Sequence, residues 1–187
     1  MISTLEELFK GNTILFEGLY IYDHWDWTQQ HPVIRLDFGD VNNSLPADME
    51  LDLSSKISNI AQKYSITLSR KMAGGFAELI EKLHASTGQQ VVVLIDEYDK
   101  PIIDNLANPE VMEANKKILH SFYQILKAVD EHLRFVFLTG VSKFAEPHFI
   151  FCSKQISTSY NFFNLQLSNL SNSIDQTRQF IVDTILR

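Results

Sequence analysis

With 187 residues, the chain is long enough for one domain with a substantial core. Its 45% apolar and 21% charged residues are the mix of a soluble globular protein, and a net charge of −7 without any basic run weighs against a nucleic-acid surface. The single cysteine, Cys152, excludes an internal disulfide and a cysteine-built zinc site, so a cytoplasmic location is the default.

The first residues have no basic region leading into an apolar stretch, which excludes a signal peptide. No window approaches the roughly 20 apolar residues that span a bilayer. The histidines are scattered with no i, i+4 pair, which argues against a histidine metal site.

Ser3-Thr4-Leu5-Glu6 fits a capping box, with Ser3 as N-cap and Glu6 reaching back. The helix that follows puts Leu5, Leu8 and Phe9 on one face and stops at Gly11-Asn12. A helix starting so early reads as the end of a longer one. Phe16 to Trp27 is rich in aromatic residues and predicts an irregular or helical connection folded onto a sheet. There the Asp23-His24-Trp25-Asp26 cluster is read as aromatic packing with satisfied polar tips.

Val33 to Phe38 alternates apolar and polar residues, which suits a strand near a sheet edge. Leu45–Tyr64 and Leu68–Ala85 read as helices; Leu51, Ile57, Ile60, Ala61 and Tyr64 form the face of the first, and Gly74-Gly75 mark a bend or a start in the second. Asn108-Pro109 opens another helix, reaching Asp130, with Ile118, Phe122, Ile125, Leu126 and Val129 as its face. Leu133 to Gly140 is a further strand, and Asn172–Leu186 a candidate closing helix in a tail whose charges thin out after Glu146. Strands alternating with helices predict an α/β fold with a parallel sheet.

The stretch richest in information is Val91-Val92-Val93-Leu94-Ile95-Asp96-Glu97. Five apolar residues, four of them β-branched, run into two carboxylates. A run apolar on every side is buried on both faces, as in a central parallel strand. Two acids at the tip of such a strand are costly without a task. In nucleotide hydrolases this is the Walker B arrangement, where the first acid organises Mg²⁺ and the second polarises the attacking water. No G-x-x-x-x-G-K-[ST] phosphate loop occurs in the 187 residues. Tyr98-Asp99-Lys100-Pro101 then ends any regular strand, and Asp99 reads as a solvated partner of Lys100.

Five segments in order resemble the bacterial AAA-ATPase-like family: Leu15–Asp23, Trp25-Asp26-Trp27, Pro32–Phe38, Val91–Ile102 and Phe137–Phe144. Members often carry a PD-(D/E)XK nuclease-like domain further on. The resemblance covers residues 2–144 and implies a P-loop NTPase-like three-layer α/β fold lacking the first, Walker A, strand and its phosphate loop. It divides the chain into residues 1–145, a truncated ATPase domain, and 146–187, a divergent tail packed on the same domain.

By that resemblance Asp96 organises the metal, Glu97 is the catalytic residue that activates water, and Thr139 or Ser142 is the sensor-1 residue touching the γ-phosphate or the attacking water; Lys143 lies beside them. Mg²⁺ and ATP are the implied cofactors, but without the phosphate loop the chain by itself is expected to be inactive. The alternative is an interaction module, self-associating through an apolar sheet edge left open beside Leu133–Leu138. A lesser alternative is a metal-dependent nuclease, with Asp37 as a third acid beside Asp96 and Glu97.

Overall fold

The computed structural model describes residues 1–140 and 150–152. Its sheet has the order β1-β2-β3-β4, with β1 Val33–Asp37, β2 Val91–Asp96, β3 Leu133–Leu138 and β4 Ile150–Cys152. The first three strands are parallel and β4 is antiparallel to β3. Apolar runs that need cover on both faces receive it, since helices lie on either side of the sheet. On one face pack α1 (Ile2–Phe9) and two short 3₁₀ turns, Thr13–Phe16 and Tyr20–Asp23. On the other lie α2 (Pro46–Lys63), α3 (Met72–Thr87) and α5 (Pro109–Ala128), while α4 (Lys100–Ile103) follows the β2 turn.

Strand alternation divides the core between these faces. Val93 and Ile95 pack with Ile34, Leu36, Leu79 and Phe122, whereas Val92 and Leu94 pack with Leu5, Phe9, Phe135 and Phe137. The register slips between Val91 and Val92, whose partners are Leu133 and Phe135. That bulge turns Leu133 to the same face as Val136 and Leu138.

β1 is an edge strand, as its alternation indicated. The Tyr64 hydroxyl sits on the outer edge of β1, accepting from Val33 N–H and donating to Val33 C=O, both at 3.0 Å. Arg35 reaches down to α1, donating to Ser3 Oγ and Glu6 Oε2. Asn108 caps α5 by accepting from Val111 N–H, and Pro109 occupies its first turn.

Several expectations are corrected. Met1 is the N-cap of α1 and no side chain caps it; Glu6 is drawn instead to Lys10 and Arg35, so the capping box does not form. Leu51 is 67% exposed, because the buried face of α2 is set by Met49, Leu53, Ile57, Ile60 and Ala61. Trp27 Nε1 donates to Tyr22 O, but buried Trp25 Nε1 has no hydrogen-bond partner among the described residues. The sheet edge beside β3 is not open along its middle, where Phe135, Val136 and Phe137 pair with β4. The candidate helix Asn172–Leu186 and the division at residue 146 lie outside the described residues, apart from β4.

Candidate functional site

The paired acids stand at the carboxyl tip of β2, the interior strand between β1 and β3. This is the end of a parallel sheet where ligands bind, because loops and helix N-termini gather there. Asp37 closes β1 and lies in register with Asp96. α1 runs against the strand direction. Its start meets Arg35 through Ser3, whereas its end, Phe9, packs on His31 and Phe135 near the strand origins. The positive end of the α1 dipole therefore lies on the side of the acids.

Asp96 is half-buried and its Oδ1 accepts twice, from Thr139 Oγ1 and from Glu97 N–H. Among the described residues its Oδ2 has no partner, which leaves a hard oxygen donor of the kind Mg²⁺ prefers. Glu97 is exposed and has φ +51°, a left-handed backbone that an L side chain enters at a cost of about 1–2 kcal/mol. Its carboxylate lies over Gly39. A Cβ at Gly39 would come within 2.7 Å of Glu97 Oε2 and 2.9 Å of Asp37 Oδ1, so only glycine fits with the acids as placed. Asp37 in turn accepts from Gly39 N–H at 2.8 Å.

Thr139-Gly140 brackets the acid turn from β3. Thr139 N–H donates to Ile95 C=O and Tyr98 N–H donates to Thr139 C=O, each at 2.9 Å. Asp99 is fully buried, which corrects the solvated reading. Lys100 pairs with Asp104 instead. Gly140 makes room for Asp99, since a Cβ there would lie 2.5 Å from Asp99 Oδ1 and 2.7 Å from Tyr98 Cε1. Burial, with the charge of Asp99 adding to it, pushes the Tyr98 hydroxyl up to about 12. Burial pushes Tyr123, edge-on to Tyr98, upward too, so both phenols stay protonated.

Behind the turn lies a buried amide cluster that the sequence did not disclose. Asn105 Nδ2 donates to Asn43 O and Pro101 O, and Asn115 Nδ2 donates to the same two carbonyls. Asn43 Nδ2 donates to Asp104.

Of the expected site residues, the structure brings Asp96, Glu97, Thr139 and Asp37 to one end of the sheet. Ser142 and Lys143 lie outside the described residues. No group of three or more His, Cys, Asp or Glu able to hold a metal occurs among the described residues. A cation here would depend on one or two carboxylates together with water or substrate oxygens, which is the habit of Mg²⁺.

The family described as "Predicted AAA-ATPase" matches residues 1–151. The chain belongs to this AAA-ATPase-like family. An "Uncharacterized protein in vnfD 5'region" from Azotobacter chroococcum mcd 1 is 42% identical to it over 146 residues. That match covers 78% of this chain and 28% of the relative, so the chain spans under a third of the relative's length. No solved structure matches the chain. The parallel three-stranded part of the sheet, with helices on both faces, is consistent with the P-loop NTPase-like three-layer α/β fold that the resemblance implied. Among the described residues no helix is long and apolar enough to cross a membrane.

Proposed function

We propose that Asp96 and Glu97 are the Walker B half of a Mg²⁺–nucleotide site, and that the 187-residue chain does not turn over ATP by itself. The reading rests on one observation. Two acids leave the tip of an interior parallel strand, and the neighbouring strand fastens the first through Thr139 while the second stays exposed. Asp96 Oδ2 would hold the cation, which neutralises charge building on a transferring phosphoryl group. Glu97, exposed and unbonded at its carboxylate among the described residues, would orient water. The α1 N-terminus favours an anion on the same side.

What the 187 residues lack is the loop whose N–H groups and lysine cradle the β- and γ-phosphates. Each lost electrostatic contact of that kind costs on the order of 3 kcal/mol of transition-state stabilisation. Phosphate release from Mg·ATP by this chain should therefore stay at background. Mg²⁺-dependent turnover that disappears in Glu97→Gln would refute the inactivity. The metal role is read separately with Mn²⁺, by water-proton relaxation. A weak site lost in Asp96→Ala is expected, and an unchanged signal would sink it.

Self-association through the β3 flank is the weaker proposal, because a partner strand there would have to displace β4. The two-metal nuclease alternative finds no ligand cluster among the described residues to support it.

A further inference from the structure

We propose that Thr139 is a positioning residue that works through Asp96 and does not sense the nucleotide; this rests on the Walker B reading of Asp96. Thr139 has one hydroxyl proton and donates it to Asp96 Oδ1. A phosphate oxygen only accepts, so a hydroxyl whose proton is committed to a carboxylate has nothing to offer it. The backbone of Thr139 holds the same turn at two more points, Ile95 C=O and Tyr98 N–H. Three bonds from one residue thus bracket residues 95–98, and the carboxylate of Asp96 is fixed inside that bracket.

Glu97 N–H closes on the same Oδ1 at 3.2 Å, reached through the left-handed backbone at Glu97. With both donors on Oδ1, the free lone pairs of Asp96 are concentrated on Oδ2. Outer groups of this sort hold a metal ligand in one rotamer, and removing them weakens metal affinity by about 10- to 100-fold. Val136 to Leu138 continue β3 as a regular ladder with β2, so the height of Thr139 above the sheet is set by strand pairing and not by a loose loop. The turn and the residue that fixes it are therefore parts of one rigid layer.

The test compares wild type, Thr139→Val, Thr139→Ser, Asp96→Ala and the Val/Ala double variant of the 187-residue chain. Mn²⁺ is the probe, read by water-proton relaxation, and melting temperature is read alongside. Thr139→Val, which keeps the shape but loses the hydroxyl, should weaken Mn²⁺ binding on the order of 10-fold, and Thr139→Ser should restore it. Thr139→Val should also lower the melting temperature by about 3 °C in the wild-type background and leave it unchanged in Asp96→Ala. Wild-type Mn²⁺ affinity in Thr139→Val, or the same thermal loss in both backgrounds, overturns the positioning role alone. Absence of any Asp96-dependent Mn²⁺ site overturns the cation reading itself, and the thermal cycle then still judges the Thr139–Asp96 bond.

Discussion

Replacing Glu97 by glycine should make this protein more stable than replacing it by alanine, against the usual order for an ordered position. Glu97 holds φ +51° immediately after an interior strand. An L residue in that region costs about 1–2 kcal/mol, while glycine enters it freely. Glycine gives back roughly 0.5–1 kcal/mol through the greater freedom of its unfolded chain. The net advantage of glycine over alanine is therefore about 0.5–1 kcal/mol, or a melting temperature roughly 1–4 °C higher for a chain of this size. Alanine is the right reference because the Glu97 carboxylate makes no hydrogen bond among the described residues, so both substitutions lose equally little from the side chain. Urea unfolding of Glu97→Gly and Glu97→Ala, with equal slopes, measures the difference. A glycine variant equal to or weaker than the alanine variant would show that the acid turn carries no left-handed residue, and the reasoning about a strained second acid would fail. A stability gain from deleting the acid would show that the folded chain tolerates Glu97 at a cost, the pattern expected where a residue is kept for chemistry.

Three further outcomes follow. Gly140→Ala should cost about 1–3 kcal/mol because Asp99 and Tyr98 are buried and cannot yield, whereas Gly39→Ala should cost under about 1 kcal/mol because exposed Glu97 can swing away; thermal melts of the two separate these cases. The Lys82 ammonium, the backbone N–H of Arg70, and the hydroxyl and N–H of Ser69 hold Glu78 down to about 2, so its contribution is present above about 4.5 and is lost as pH falls from there through about 2; Glu78→Gln should flatten that acid limb in denaturant titrations. Tyr64→Phe removes the hydroxyl that serves both backbone groups of Val33, and should lower stability by about 1 kcal/mol in urea melts.

The parts of the fold fixed by local pattern were legible in the sequence. Val91–Ile95 read as an interior strand, because a short β-branched run apolar on every side needs cover on both faces, and the alternation of Ile34 to Phe38 placed β1 near an edge. Asn108-Pro109 announced α5 by capping chemistry alone. The paired acids followed from the strand that carries them. What could not be read depends on residues far apart in the chain. Asp99 is buried where Gly140, two residues past the end of β3, leaves it room. The choice of Asp96 by the Thr139 hydroxyl depends on the β2–β3 register, which the Arg134 bulge shifts. Nothing in the tetrapeptide around Glu97 marks a left-handed residue. The Ser3–Glu6 capping box does not form: α1 is capped at Met1, which puts Ser3 inside the helix, and Glu6 pairs with Lys10 and Arg35.

The buried amides of Asn105 and Asn115 give the molecule a mechanical linkage. Both hold the carbonyls of Asn43, which follows β1, and of Pro101, which follows the acid turn. Pulling either carbonyl away would strand dry amide protons at about 1–3 kcal/mol apiece. The segments leaving β1 and the acid turn are thereby tied to each other and to the long helix that bears Asn115.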